Sequence, residues 1–195
     1  MNGFERRKEQ KREIILRAAL ALFQAFGFSK VSIGDIAHRA GVSQVTIYNH
    51  FGNKEGLTRE VIKGFIRSLL DKYRKVINGQ GSYMEKLEFI IYDKTEVAQQ
   101  FQGELLGRMV FSDPYIEQII QSMWQTEVKQ LMLDLVEDGK NQGYINPQLS
   151  EEAVLVYLEI LRKGMFADPA VPTRMERHPQ LVHDLNSLFL YGLNG

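Results

Sequence analysis

The sequence contains no cysteine among its 195 residues, which excludes a disulfide framework and any metal site built from thiolates. This absence fits a reducing compartment. No apolar run approaches the length of a membrane-spanning helix, and the charged N-terminal segment MNGFERRKEQKRE does not have the pattern of a signal peptide. We therefore expect a cytoplasmic protein with no membrane partner.

Motifs for catalysis and metal binding are also missing. The sequence has no HExxH, no nucleophile elbow and no pair of carboxylates in apolar surroundings that indicates a general acid and base. Its histidines are scattered, and the last two have a poor spacing for sharing one helix face: His38, His50, His178 and His183. We expect no metal, no cofactor and no catalytic residue. An enzyme remains an alternative only if its site lies unrecognised in the second half.

Strand patterns, internal repeats and low-complexity segments are absent as well. Apolar residues recur at helical spacing, which predicts helices over about 14–26, 33–40, 44–51, 54–78, 82–100, 103–112, 115–142, 150–166 and 179–193. A proline-bearing loop is expected between residues 167 and 179. The sequence therefore predicts an all-α protein.

The net charge of zero hides an asymmetry between the two ends of the chain. Residues 1–67 contain 12 Lys and Arg against 6 Asp and Glu, and the remaining residues contain 12 against 18, giving +6 and −6. A basic first part favours binding to nucleic acid phosphates. The charged run at 5–13 is either a solvated face or an arm that reaches DNA.

The most informative stretch contains the starts of three helices. Ser32 followed by Asp35 is a capping box, and Gly41 can close that helix in the left-handed conformation. Ser43 caps a second helix, and Asn53 caps a third. Because the first two helices are joined by a short connection, the pattern predicts a helix-turn-helix.

The second of these helices keeps a polar face after Ile47 and Phe51 are assigned to the core. Amide, hydroxyl, phenol and imidazole groups on that face can bond base edges or phosphate oxygens. The third helix begins at Lys54, so a cation and free N–H groups should face one phosphate. The predicted DNA-binding residues are Ser32, Ser43, Gln44, Thr46, Tyr48, Asn49, His50 and Lys54.

A known family has the same ordered set of residues. Ile36-Ala37, Gly41-Val42-Ser43, Thr46-Ile47-Tyr48, His50-Phe51 and Lys54-Glu55-Gly56-Leu57 together resemble the DNA-binding domain of the TetR family of transcriptional regulators. The resemblance covers about the first third of the chain, and the remainder is similar to the family only in length and helicity.

That resemblance implies specific roles for these residues. Tyr48, His50 and Lys54 fall where the family holds the DNA backbone, and Gln44 and Thr46 fall where it reads or flanks bases. At Gly34 the sequence departs from the family, because many members carry a longer polar side chain there. The resemblance implies a repressor that binds double-stranded, palindromic operator DNA as a homodimer.

The resemblance and the helical pattern predict two domains. Residues 1–56 form a helix-turn-helix DNA-binding domain, and residues 57–195 form a helical domain for dimerisation and effector binding. The predicted helix at 54–78 has apolar residues at every fourth position and spans about 35 Å. It is too long for a domain of this size alone, so we expect it to join the two domains.

The predicted helix 150–166 is apolar on nearly all sides. A helix of this kind must be buried on all sides, and a second subunit is the simplest partner for the side that its own domain does not bury. The last helix should pack beside it in that interface. The alternative is that the helix lies deep in the core of a monomer. The predicted interface residues are Val154, Leu158, Leu161, Leu181, Leu185 and Leu188.

Aromatic and methionine side chains are numerous in the second half. They either form a packed core or line a cavity for a small apolar effector. The predicted effector residues are Phe89, Tyr92, Met109, Phe111 and Trp124. With a fully packed core, the chain would be a dimeric DNA-binding regulator that responds to no effector.

Overall fold

The computed structural model describes residues 3–100, 113–168 and 170–191, which form helices and turns with no strand among them. In chain order the helices are α1 (Gly3–Phe26), α2 (Ile33–Ala40), α3 (Gln44–Phe51), α4 (Lys54–Ile77), α5 (Tyr83–Gln100), α6 (Pro114–Met123), α7 (Lys129–Asn141), α8 (Glu151–Ala167), α9 (Ala170–Arg177) and α10 (Pro179–Tyr191). The predicted all-α fold is confirmed.

The predicted capping box at the start of α2 is present. The Ser32 hydroxyl oxygen accepts from the Asp35 backbone N–H at 3.1 Å, and the Asp35 carboxylate accepts from the Ser32 backbone N–H at 2.8 Å. At the other end, Gly41 takes the left-handed conformation with φ 65° and ψ 35°. These local bonds fix both ends of α2 without help from distant residues.

The predicted starts of α3 and α4 are confirmed as well. The Ser43 hydroxyl oxygen accepts from the Thr46 N–H at 3.1 Å, and the Asn53 side chain accepts from the Gly56 N–H at 2.7 Å. Gly56 is required by packing, because a Cβ there would lie 2.2 Å from the Phe51 carbonyl oxygen. The turn between α3 and α4 therefore depends on a glycine inside the first turn of α4.

The first core lies among α1, α2, α3 and the first half of α4. Its fully buried members from α1 to α4 are Ile15, Ala19, Phe23, Ile36, Ile47 and Leu57. Ile116 of α6 is also fully buried in this core, although it lies far along the chain. The first core is thus completed by a residue from the second half.

The second core lies among the second half of α4 and helices α5, α7 and α8. Its most buried members include Leu87, Leu131, Ile145 and Val154. Helix α10 packs along α5. Gly139 of α7 allows close packing here, because a Cβ would lie 2.8 Å from side-chain atoms of Tyr83 and Ile145.

Two of the described helices belong to both cores. Helix α4 contributes Phe65 to the first core and Tyr73 to the second, while Leu69 contacts both. This confirms the prediction that the long helix joins the two halves. Helix α6 does the same through Ile116 and Met123, a connection that the sequence pattern did not reveal.

The structure differs from the predicted helices in three described places. Helix α1 begins at Gly3, eleven residues before the predicted start at residue 14. The predicted helix 115–142 is interrupted by a π-helical segment, Trp124–Val128, which separates α6 from α7. The predicted loop 167–179 is wrong, because it contains α9. Pro172 lies in the first turn of α9, where the missing N–H breaks no helical bond. The predicted helix 103–112 lies outside the described residues.

No helix in the described part of the chain is both long enough and apolar enough to cross a membrane.

Candidate nucleic-acid interface

Helix α3 is held against the first core by one side and leaves the other exposed. Ile47 is fully buried, whereas Gln44, Val45, Tyr48 and Asn49 are exposed. These four positions share one side of the helix, as its period of 3.6 residues requires. We call them the exposed side of α3.

A groove of about 590 Å³ runs beside this exposed side. The starts of α2 and α4 border it, and its lining includes Lys30, Ser32, Gly34, Gln44, Tyr48 and Lys54. Helix starts carry partial positive charge and free N–H groups, and the two lysines add full positive charges. The groove therefore combines the groups that attract a phosphate.

Lys54 makes one defined bond in this groove. Its ammonium donates to the Phe28 carbonyl oxygen at 2.8 Å, which ties the start of α4 to the turn after α1. An ammonium has three N–H donors, so this bond leaves capacity for a phosphate oxygen. Lys54 thus has a structural contact at the same place where a DNA contact is predicted.

Three predicted hydroxyl groups are engaged within the chain. The Ser32 hydroxyl donates to the Asp35 carboxylate at 2.6 Å, and the Ser43 and Thr46 hydroxyl oxygens lie 2.9 Å apart. Hydrogen bonds from the Ser32 side chain and backbone hold the pKa of Asp35 below its usual value. These hydroxyls position α2 and α3, while the longer polar side chains extend from the exposed side of α3.

His50 lies at the far end of α3, half-buried beside the start of α1. Burial lowers its pKa, and the positive charges of Lys8 and Arg12 lower it further. A second groove, of about 530 Å³, is lined by Arg12, His50, Phe51 and Arg59 among others. Because α1 begins at Gly3, the charged run at 5–13 is helical and forms no extended arm.

The predicted effector residues lie in different environments. Trp124 is buried in the second core, whereas Tyr92 on α5 is 67% exposed. Phe89 is 37% exposed, and the centre of its ring lies 5.1 Å from the Lys72 ammonium. Met109 and Phe111 lie outside the described residues. The described structure does not bring the predicted set together.

The predicted interface residues divide into two groups. Val154 and Leu158 are buried in the second core of their own chain, while Leu161 and Leu181 are half-buried and Leu185 and Leu188 are exposed. Three exposed apolar residues of α8 are not in the predicted set: Val156, Tyr157 and Ile160. Sorting α8 by its helical period would have separated the two sides, since positions 154 and 158 share one side and 156 and 160 another.

Val45 lies on the exposed side of α3 but is not among the predicted DNA-binding residues. Sequence reasoning treated it only as a β-branched residue with poor helix propensity. Its position next to Gln44 and one turn before Tyr48 and Asn49 was the available signal.

Comparison with known proteins agrees with this geometry. Residues 15–61 match the family model for bacterial regulatory proteins of the tetR family. The repressor KstR2 of Mycobacterium tuberculosis (strain H37Rv) is 24% identical over 153 residues, which cover 76% of this chain and 76% of that protein.

Solved structures share the fold. The structure of the fatty acid degradation regulator FadR from Bacillus halodurans has a TM-score of 0.58 at 22% identity and covers 93% of this chain and 98% of that one. FadR from Bacillus subtilis, in complex with stearoyl-CoA, has a TM-score of 0.58 at 19% identity and covers 94% and 97%. An N-terminal helix-turn-helix followed by a helical domain is thus the architecture of this chain. With the family match over residues 15–61 and the exposed side of α3 beside it, the first part of the chain is a helix-turn-helix domain of the tetR family type, and the chain is a DNA-binding transcriptional regulator.

Proposed function

We propose that the chain is a homodimeric repressor that binds a palindromic operator through two α3 helices and releases it when a small apolar effector binds. The exposed side of α3, beside the positively charged groove, is the observation that carries this proposal. Residues 1–56 are the proposed DNA-binding domain, and residues 57–195 are the proposed dimerisation and effector domain. Its proposed place of action is the cytoplasm, where chromosomal DNA lies.

In the proposed complex, α3 lies in the major groove. Gln44 and Asn49 contact base edges, while Tyr48, His50 and Lys54 hold the backbone on either side. The hydroxyls of Ser32, Ser43 and Thr46 keep the two helices in position and add contacts at the rim. Support comes from the exposure of α3 and from the lysines at the groove.

Substitutions separate backbone contacts from base contacts. Tyr48→Phe and Lys54→Ala should weaken binding to all DNA sequences alike, and the lysine change should lower the salt slope by about one. Gln44→Ala should relax specificity at one base pair. Lys75→Ala, at the opposite end of α4, is the matched control for lost charge. Unchanged DNA affinity in both Tyr48→Phe and Lys54→Ala would contradict the assignment.

The proposed dimer interface takes in exposed apolar residues from both α8 and α10, and we call these residues together the α8–α10 surface. It is formed by Val156, Tyr157, Ile160, Leu185 and Leu188, all exposed in the single chain. Isolated exposed apolar residues are common, but five on two helices favour burial against another protein. A second copy related by a two-fold axis presents the same surface and can cover it. Two-fold symmetry in turn requires an inverted repeat in the operator.

The proposed effector is a lipophilic acyl compound. FadR from Bacillus subtilis was solved in complex with stearoyl-CoA, and its fold covers nearly all of this chain. The second core here is built from apolar and aromatic side chains that a ligand of that class would suit. The residues proposed to contact it are still Phe89, Tyr92, Met109, Phe111 and Trp124.

Two contacts support a route from the effector to the DNA. Arg59 of α4 donates to the Asp113 carboxylate at 2.9 and 3.3 Å, and Asp113 caps α6 through the Tyr115 N–H. Because α4 and α6 both pack into the two cores, a ligand that moves them in the second core also displaces Lys54. Ligand and DNA should then weaken each other's binding by the same factor. The corresponding coupling free energy is typically about 1–3 kcal/mol.

A thermal-shift screen with fatty acyl compounds, lipophilic cations and aromatic compounds tests the effector. Operator affinity is then measured with and without any compound that binds. A compound that binds tightly and leaves operator affinity unchanged would contradict the proposed release. If no compound binds, the alternative of an effector-independent dimeric regulator is favoured.

A further inference from the structure

Val45 is an exposed apolar residue in the first turn of α3. It is 65% exposed, and its neighbours on the exposed side of α3 are the polar residues Gln44, Tyr48 and Asn49. One exposed valine elsewhere on a protein surface needs no explanation. The position of Val45 is different, because a helix-turn-helix protein presents the N-terminal residues of this helix to base edges.

The first turn of α3 is rigidly placed. The Ser43 hydroxyl caps the Thr46 N–H at 3.1 Å, and Ile47 is fully buried in the first core. Val45 therefore cannot rotate into the core without breaking the cap. As a β-branched residue in a helix, it also has one strongly preferred side-chain rotamer. Little side-chain entropy is lost when such a residue is held against a partner.

The chemistry of the major groove limits what a valine can contact there. Base edges present hydrogen-bond donors and acceptors, together with one apolar group, the C5-methyl of thymine. A valine side chain has no donor and no acceptor. Placed against a polar base edge it would displace water without replacing its hydrogen bonds, which is unfavourable. Against a thymine methyl, burial of both apolar groups is favourable.

We propose that Val45 is a specificity-determining residue that selects a thymine in each operator half-site by packing against its C5-methyl group. This inference rests on the proposed binding of operator DNA by α3. Gln44, the preceding residue, carries an amide that can bond adenine through N6 and N7. Together the two side chains favour a half-site that contains A·T pairs where the first turn of α3 lies.

The test replaces single thymines by deoxyuridine, which removes only the methyl group. The operator is obtained by selection from random DNA with the full chain, and each thymine is then replaced in turn. Dissociation constants are measured for the unmodified protein, Val45→Ala and Ile14→Ala. Ile14 is an exposed aliphatic residue of α1 and serves as the matched control.

One thymine in each half-site should behave differently from the others. Its replacement should weaken binding of the unmodified protein and of Ile14→Ala by about fourfold, the effect of one buried methyl group. Because both subunits of the proposed dimer carry the substitution, Val45→Ala should bind the thymine operator more weakly by about the square of that factor, roughly sixteenfold, and lose nothing further with deoxyuridine. Because alanine has the higher helix propensity and the site is exposed, Val45→Ala should fold, which its melting temperature verifies.

Equal deoxyuridine effects in the unmodified protein and Val45→Ala at every thymine would overturn the inference, and so would a selected half-site without thymine. In both cases the selected inverted repeat would leave the proposed function intact. If the full chain selects no DNA sequence at all, the proposed function fails and this inference fails with it.

Discussion

The two cores of this molecule place their functional side chains in different ways. Around the first core, the proposed DNA-facing residues come from the contiguous stretch 29–54, and hydrogen bonds between near neighbours in sequence hold that stretch in shape. Around the second core, the described residues proposed for the interface and the effector come from α5, the π-helical segment, α8 and α10. A local surface can be recognised from sequence, whereas a surface assembled from distant helices depends on how those helices are rotated.

The cores are nevertheless connected. Helices α4 and α6 each contribute buried residues to both, and the Arg59–Asp113 ion pair joins the two helices on the side of the first core. The first core is therefore not an independent module, since α6 supplies its fully buried Ile116. Substitutions can measure how strongly the two regions depend on each other.

The largest expected effect is on the second core. Leu158 is 7% exposed and packed in that core, so Leu158→Asp buries a charge without a partner. We expect a loss of about 4 kcal/mol in the free energy of unfolding, or no folded protein at all. Denaturant titration followed by fluorescence of Trp124, the one tryptophan of the chain, reports this core directly. A stable, folded Leu158→Asp would show that the side of α8 facing the core is misassigned.

Ile160 lies on the other side of α8 and is 62% exposed. Ile160→Asp should therefore leave the subunit folded and separate the dimer, because the charge falls within the α8–α10 surface. Sedimentation at micromolar concentration measures the state of assembly. A monomeric unmodified protein would remove the basis of the dimer, and a dimeric Ile160→Asp would place the interface elsewhere.

Ile116→Ala tests whether α6 stabilises the first core. Removing a fully buried isoleucine should cost about 2–5 kcal/mol, and hydrogen exchange should show faster opening of α2 and α3. Tyr115→Ala, at an exposed position beside it, is the control. If exchange in α2 and α3 stays unchanged while α7 and α8 open faster, Ile116 belongs functionally to the second core.

The smallest expected effect concerns His50 and pH. Burial and nearby cations hold its pKa below the usual value in the free protein, which favours the neutral form there. A phosphate beside the ring would raise that pKa and favour the charged form in the complex. Operator affinity should therefore rise as the pH falls from about 8 to 6, with proton uptake on binding. His50→Gln should lose that part of the pH dependence, and an unchanged slope would place His50 away from the DNA.

The sequence predicts the features that depend on local contacts and does not predict those that depend on contacts between distant helices. The starts of α2, α3 and α4 were predicted because a side chain caps an N–H group three residues away in each case. The burial of Ile116 in the first core was not predicted, because no local pattern encodes a contact with a distant helix. Helix α9 was missed since Pro172 suggested a loop, although a proline in the first turn of a helix is tolerated.

Selection from random double-stranded DNA with the full chain tests the central claim most directly. The account predicts an inverted repeat whose half-site centres lie about 34–36 Å apart or somewhat more, because two α3 helices are related by a two-fold axis. Ile160→Asp should enrich the same half-site only weakly, since single half-sites lose the second set of contacts. Enriched sites without two-fold symmetry, or no enrichment at all, would contradict the account.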